Sequence, residues 1–79
     1  MTVSSSEALA EIGHRIRTLR ESHDLTQAAF AAQVYVTQPA VSQWERGKKL
    51  PAEVTQHRIA DVLGTERSHL FAEITGRAA

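Results

Sequence analysis

Residues 26–46 read TQAAFAAQVYVTQPAVSQWER and carry the signals of two short helices separated by a tight turn. A threonine precedes each helix, Thr26 and Thr37, and its hydroxyl can accept a hydrogen bond from a free N–H group of the first helical turn. Pro39 lies in the first turn of the second helix, where its missing N–H group costs no hydrogen bond. Because the turn is too short for an antiparallel arrangement, the sequence predicts that the two helices cross steeply.

The second helix of this pair has two different faces. Val41 and Trp44 are three residues apart, so they share a face that can pack inward against the rest of the chain, including Phe30 and Val34. The other face has no large hydrophobic side chain and presents Gln38, Pro39, Ser42, Gln43 and Arg46. Glutamine can pair with two atoms of an adenine, and a proline ring can contact a thymine methyl group. This face therefore suits base-pair edges, although a merely solvated helix face would have a similar composition.

Three further helices are predicted around this pair. An apolar stripe with steps of three and four residues indicates the first helix, and its members are Leu9, Ile12, Ile16 and Leu19. Its N-cap candidates are Ser4, Ser5 and Ser6. Gly64 closes the fourth helix, Thr65 is the predicted N-cap of the fifth, and Gly76 ends it. The predicted helices span residues 7–22, 27–34, 38–45, 52–63 and 66–74, so the sequence predicts a compact all-α, five-helix domain without strands.

The composition limits the chain to one domain with a modest core. With 79 residues, a chain buries only about 60% of its unfolded surface. Helix packing must hold the core, because there is no cysteine for disulfides or for zinc. No segment approaches the roughly 18 apolar residues of a membrane span, and nothing near the start combines a basic stretch with an apolar run. The composition therefore predicts a soluble, cytoplasmic protein with no membrane partner.

Charge is distributed unevenly along the chain. Nine lysines and arginines balance nine acids, which argues against a general polyanion binder, because such proteins carry a broad basic surplus. The basic excess lies in residues 26–51, which contain Arg46, Lys48 and Lys49 but only one acid, Glu45. This excess weakly favours contact with phosphates, although charge runs are usually solvated faces.

Residues for catalysis or metal binding are scarce. The four histidines show no i, i+4 pairing that would suit a metal ion, and no cysteine is available as a nucleophile or ligand. The four glycines do not form a phosphate-binding loop. We therefore predict no enzymatic activity, no metal, no cofactor and no small-molecule ligand.

Several ordered segments of the chain resemble one known family. They are Leu25-Thr26-Gln27, Ala31, Val36-Thr37, Val41-Ser42-Gln43-Trp44-Glu45-Arg46-Gly47, Pro51, Ile59-Ala60, Leu63-Gly64 and Leu70-Phe71. From Ile12 to about Phe71 the chain resembles helix-turn-helix proteins of the lambda-repressor and Cro type. The resemblance implies a DNA-binding domain over residues 7–75, between a lead of residues 1–6 and a tail of residues 76–79.

The resemblance also implies a role for each matching residue. Base contacts are implied for Gln38, Pro39, Ser42 and Gln43. Phosphate contacts are implied for Gln27, Thr37, Arg46, Lys48 and Lys49. Structural roles are implied for Val41 and Trp44, and for Arg20 and Glu45 as a largely buried ion pair that braces the first helix against the third. For that pair, the alternative is two ordinary surface charges. Because the family commonly has a polar residue at the position of Pro39, we expect base readout there to be weak or directed at a thymine.

Two regions depart from the family pattern. The turn commonly has a glycine in the left-handed conformation, whereas this chain has Tyr35, which would be strained there or would force a different turn. In the fourth helix, Glu53 and Gln56 occupy places that the family usually buries. A helix rotated to bury Val54 and His57 is therefore an alternative.

The resemblance implies a transcription regulator that binds a double-stranded DNA operator, most similar to a minimal Cro-like repressor of a phage or bacterium. A homodimer is expected, because two helices related by a dyad can read half-sites about 34 Å apart. Its predicted contacts are Leu70, Phe71 and Ile74, which could instead cover the core. The alternative function is an antitoxin or another protein-interaction module, in which the same three residues would contact the partner protein.

Overall fold

The computed structural model describes residues 5–75, and that range is helical without strands. Its helices are α1 (Ser5–Ser22), α2 (Gln27–Gln33), α3 (Gln38–Glu45), α4 (Glu53–Val62), α5 (Arg67–Leu70) and α6 (Ala72–Thr75). The predicted all-α fold is confirmed, with six helices in the described range where five were predicted. Residues 1–4 of the predicted lead, including Ser4, and the predicted tail with Gly76 lie outside the described residues.

Threonine hydroxyl groups cap the N-terminal ends of α2 and α3, as the sequence predicts. The Thr26 hydroxyl accepts a hydrogen bond from the Ala29 N–H group at 3.1 Å, and the Thr37 hydroxyl accepts one from the Ala40 N–H group at 3.4 Å. Both threonines have extended backbone conformations immediately before their helices. The caps therefore set the points at which α2 and α3 begin.

The helix boundaries differ from the predictions near both ends of the described range. Ser5 and Ser6 lie inside α1, so neither is its N-cap. Thr65 does not cap the last helix, because α5 begins at Arg67 and its N-cap residue is Glu66. The Thr65 N–H group instead donates to the Ala60 carbonyl at 2.9 Å and closes α4. The predicted single last helix is two helices, α5 and α6. Phe71 separates them, because its backbone leaves helical geometry (φ −119°, ψ 37°) while its side chain is buried.

The core collects apolar side chains from α1 to α5 and from the residue after α5. Its buried members are Ile12, Ile16, Phe30, Ala31, Val34, Val41, Trp44, Ile59, Leu63, Leu70 and Phe71. Val41 and Trp44 therefore pack inward as predicted. Leu70 and Phe71 are also buried within the chain, so the prediction that they form a dimer or partner contact is wrong. Of that predicted contact set, Ile74 is exposed.

Helix α1 crosses close to the C-terminal end of α3 at Gly13. A Cβ atom at this position would collide with the backbone carbonyl oxygens of Trp44 and Glu45. Gly47 follows α3 with a φ of +70° and approaches the backbone of Ala10. These close contacts fix α3 against α1, and they determine which face of α3 remains exposed.

Tyr35 occupies the left-handed position in the turn between α2 and α3. Its φ is +62°, so the chain keeps the family's turn and accepts the strain of a side chain in this conformation. The residue is 77% exposed, and its ring centroid lies 4.9 Å from the guanidinium carbon of Arg58. This cation–π contact joins the turn to α4.

Helix α4 follows the family pattern at Gln56 but not at Glu53. Gln56 is only 3% exposed, whereas Val54 is 59% exposed. Glu53 and His57 are exposed as well. The alternative of a helix rotated to bury Val54 and His57 is therefore wrong. The reason is that both ends of the buried Gln56 amide have hydrogen-bond partners, the Pro51 carbonyl and Arg67.

Arg15 in α1 holds the C-terminal helix α6 through Glu73. Its two terminal nitrogens each donate to a different carboxylate oxygen of Glu73 at 2.8 Å, and one of them also donates to the Leu70 carbonyl at 3.2 Å. The hydrogen bond from Arg15 lowers the pKa of Glu73 below its usual value, against the opposite effect of burial. The ion pair therefore stabilises the docking of α6 when Glu73 is ionised.

The substitution Glu73→Gln is expected to destabilise the protein by roughly 1 kcal/mol at about pH 7, as for a well-formed, partly exposed pair. Because the pKa of Glu73 is lower in the folded chain than its unfolded value of about 4.3, this stabilisation is complete above that value and disappears as the pH falls through the lowered pKa. Urea unfolding at about pH 7 and at a pH below the lowered pKa of Glu73, located by titration of its carboxyl group, measures the difference. The control Glu66→Gln removes no ion pair within residues 5–75, so its free energy of unfolding should match that of the wild type. An equal loss of stability for Glu73→Gln at both pH values would refute the expectation.

Candidate nucleic-acid interface

The outer face of α3 presents the side chains for which base contacts were predicted. Gln38, Pro39 and Gln43 are exposed and Ser42 is half-buried, while Val41 and Trp44 on the other face are buried. The buried pair anchors the helix, so the exposed amides are carried on a rigid element. The structure thus brings the four predicted base-contacting residues together on one face, and their contact with bases stays a prediction.

The amide of Gln27 links the start of α2 to both ends of α3. Its Nε2 donates to Glu45 Oε1 at 3.0 Å, and its Oε1 accepts a hydrogen bond from Gln38 Nε2 at 2.6 Å. Because a carboxylate only accepts, Glu45 orients the amino group of Gln27 toward itself and the oxygen toward Gln38. Gln38 keeps its own oxygen and one N–H available for another partner. The sequence contained no signal for this bridge, and the predicted phosphate contact of Gln27 stays a prediction.

Arg20 and Glu45 form the predicted ion pair between α1 and α3. The Arg20 Nε lies 2.6 Å from Glu45 Oε2, and a terminal nitrogen lies 3.0 Å from Glu45 Oε1, while the other terminal nitrogen donates to the Leu25 carbonyl at 2.7 Å. The two side chains are only 9% and 4% exposed. The hydrogen bond to Glu45 raises the pKa of Arg20 above its usual value, although burial acts in the opposite direction. The prediction of a buried brace is confirmed.

The loop after α3, residues 46–51, is called the basic loop below. It begins with a helix-ending turn, in which the Gly47 N–H group donates to the Trp44 carbonyl at 3.0 Å and the Lys48 N–H group donates to the Gln43 carbonyl at 2.9 Å. Lys48 and Lys49 are exposed. The turn places both lysines directly beyond the C-terminal end of the α3 face that carries Gln43.

Cations in the described part of the chain fall into two groups. Those with a carboxylate partner are Arg15, Arg17, Arg20 and Arg67. Those without an ion pair among residues 5–75 are Arg46, Lys48, Lys49 and Arg58. The unneutralised charge is therefore concentrated on the basic loop and on α4, which leaves it available for an anionic partner. Arg58 was not recognised from the sequence, because its packing on Tyr35 depends on the fold.

Residues 5–75 contain neither a cluster of metal-binding side chains nor a membrane-spanning helix. No group of three or more histidine, aspartate or glutamate side chains in that range could hold a metal ion. No helix in the same range is both long enough and apolar enough to cross a membrane.

Comparison with known proteins places the chain in one class. A family model described as a helix-turn-helix domain matches residues 11–71. The control protein C.MunI of Mycoplasma sp is 36% identical over 63 residues, which cover 78% of this chain and 85% of C.MunI. The transcriptional activator BcrR of Enterococcus faecalis is 42% identical over 41 residues, but these cover 52% of this chain and only 20% of BcrR.

Solved structures agree with this assignment. The P22 c2 repressor in complex with a synthetic operator has a TM-score of 0.76 and 31% identity, with 78% of this chain and 94% of the repressor chain covered. The restriction-modification controller protein C.AhdI of Aeromonas hydrophila has a TM-score of 0.75 and 30% identity, with 80% and 96% covered. The chain therefore belongs to the lambda-repressor and Cro type of helix-turn-helix DNA-binding transcription regulators.

Proposed function

We propose that this protein is a sequence-specific regulator that inserts α3 into the major groove of double-stranded DNA. The observation that carries the proposal is the exposed amide face of α3, adjoined by basic-loop cations without ion pairs in the described range. Gln38 and Gln43 read base edges, Pro39 and Ser42 contribute contact and shape, and Arg46, Lys48 and Lys49 bind the flanking phosphates. Gln27 and Thr37, at the starts of α2 and α3, lie where phosphate contacts are expected.

We further propose that the protein acts as a homodimer on an inverted-repeat operator, as a Cro-like repressor. One short helix can read only a few base pairs, so a dyad-related pair supplies the specificity that a regulator needs. Two similar proteins support the regulatory part of this proposal, since one is a repressor in complex with a synthetic operator and the other is a restriction-modification controller protein. The exposed Ile74 is the remaining candidate of the predicted contact residues.

The two kinds of contact are expected to respond differently to substitution. Gln38→Ala or Gln43→Ala should lower affinity at particular base pairs by about 1–3 kcal/mol, because the lost hydrogen bonds belong to one base each. Lys48→Ala or Lys49→Ala should weaken all sequences alike and reduce the slope of log affinity against log salt by about 0.9 for each lost phosphate contact. Fluorescence anisotropy with duplexes changed one base pair at a time, repeated at several salt concentrations, measures both effects.

The lysine variants serve as controls for the glutamine variants in this experiment. A loss from the glutamine changes that is uniform across all duplexes would contradict base readout by α3. Gln38→Ala also removes the bond to Gln27, so Gln43→Ala is the cleaner of the two tests.

A further inference from the structure

Gln56 is a polar residue in the buried face of α4. Only 3% of it is exposed, and both ends of its amide have partners. Its Nε2 donates to the Pro51 carbonyl at 2.8 Å, and its Oε1 accepts a hydrogen bond from Arg67 Nε at 2.8 Å. Burial of an amide is costly unless both ends are hydrogen-bonded, so these two hydrogen bonds determine the orientation of the Gln56 side chain.

The first of these bonds holds the end of the basic loop. Pro51 is buried and follows Lys48 and Lys49 by only three and two residues. Helix α4 begins without a side-chain cap, since Ala52 is its N-cap residue. The side chain of Gln56 therefore reaches back across the first turn of α4 and fixes the last carbonyl of the loop.

The second bond fixes the orientation of the amide. Arg67 can only donate, so it requires the oxygen of Gln56 on its side and turns the amino group toward Pro51. A second nitrogen of Arg67 lies 3.9 Å from a carboxylate oxygen of Glu53, which helps to hold the guanidinium in place. An apolar side chain at position 56 would fill the same space, but it could not hold the Pro51 carbonyl.

We propose that Gln56, oriented by Arg67, is a positioning residue that fixes the basic loop so that Lys48 and Lys49 face the DNA phosphates. This inference rests on the proposed function, because it assigns the purpose of the loop to DNA binding. It adds that α5, which makes no predicted DNA contact, sets the geometry of that loop. Gln56 must therefore change the affinity for DNA only by changing the positions of Lys48 and Lys49.

A double-mutant cycle tests whether the effect of Gln56 on DNA affinity depends on Lys48 and Lys49. Gln56→Met removes the amide without a change of charge, and a random-sequence 20-base-pair duplex is the probe. We expect a threefold to tenfold loss of affinity, equivalent to about 0.7–1.4 kcal/mol, together with a shallower salt dependence. In a Lys48→Ala, Lys49→Ala background the same substitution should change affinity by less than about twofold. An equal loss in both backgrounds would overturn the inference.

Arg67→Met provides the second arm and Arg17→Met its charge-matched control. Arg67→Met should lose affinity as Gln56→Met does, and in the double-lysine background its loss should fall to that of Arg17→Met. Arg17→Met removes a cation paired with Glu21 on α1, and its smaller effect should be the same in both backgrounds. If the loss caused by Arg67→Met persisted without the lysines, Arg67 would be a direct contact and the positioning role would be refuted.

A measurement without DNA separates this inference from the proposed function. Trypsin cuts after Lys48 and Lys49 only when the basic loop opens, and local opening depends on the contacts that hold the loop. Gln56→Met should speed this cleavage about tenfold at a temperature well below unfolding, with cleavage after Arg17 in α1 unchanged. Unchanged cleavage at the lysines would overturn the positioning role, whereas a wild-type protein that binds no duplex DNA would overturn the proposed function.

Discussion

Glu45→Ala is expected to lower the free energy of unfolding by about 3–5 kcal/mol, because it removes the only carboxylate that is buried together with the guanidinium of Arg20 in residues 5–75. The two side chains are 9% and 4% exposed and share two hydrogen bonds. The same substitution removes the acceptor that orients Gln27. One residue therefore supports both the packing of α1 on α3 and the arrangement of the candidate interface.

Urea unfolding followed by the fluorescence of Trp44, the one tryptophan of the chain, measures this loss. Glu21→Ala is the matched control, since Glu21 lies 3.8 Å from Arg20 but is 54% exposed, and it should cost no more than about 1 kcal/mol. Replacing both Arg20 and Glu45 with methionine should restore most of the stability, because no buried charge then lacks a partner. If Glu45→Ala cost no more than Glu21→Ala, the ion pair would not be a brace.

Trp44→Ala is expected to destabilise the fold by about 3–5 kcal/mol, as large-to-small changes of buried aromatic residues do. Trp44 is only 6% exposed, in the core cluster that anchors α3. For a domain of this size the loss corresponds to a fall in Tm of at least about 12 °C. Thermal unfolding followed by circular dichroism measures it, since the substitution removes the fluorophore.

Tyr35→Ala is the aromatic control for the Trp44 experiment. Tyr35 is 77% exposed, so its truncation removes little packing and should shift Tm by only a few degrees. A Tm for Trp44→Ala equal to that of Tyr35→Ala would show that α3 is held by other contacts.

Local chemistry made the central part of the fold predictable. Thr26 and Thr37 mark the starts of α2 and α3 through their hydroxyl groups, and the spacing of Val41 and Trp44 assigns the inward face of α3. These signals depend on neighbours within four residues, so they can be read from the chain alone. The resemblance to a family added the Arg20–Glu45 pair, which spacing by itself did not predict.

Features that depend on distant contacts were missed or predicted incorrectly. Phe71 interrupts the last helix while its side chain is buried, and no local signal marks such a break. The sequence did not decide between two orientations of α4, because the hydrogen-bond partners of Gln56 lie in the preceding loop and in α5. The Gln27–Gln38 bond joins residues 11 positions apart, so the polar pattern that predicted the interface did not reveal how its side chains are oriented.

Selection from a pool of random duplexes tests whether the exposed face of α3 reads a DNA sequence. The protein binds the pool at moderate salt, and the bound duplexes are amplified. The affinities of the wild type and of Gln43→Ala are then measured for the selected site and for a scrambled duplex. We predict an inverted repeat with half-sites about one helical turn, roughly 34 Å, apart, and a loss of the preference at one base pair of each half-site in Gln43→Ala. An unenriched pool, with weak and salt-sensitive binding that is equal for both proteins, would contradict the account.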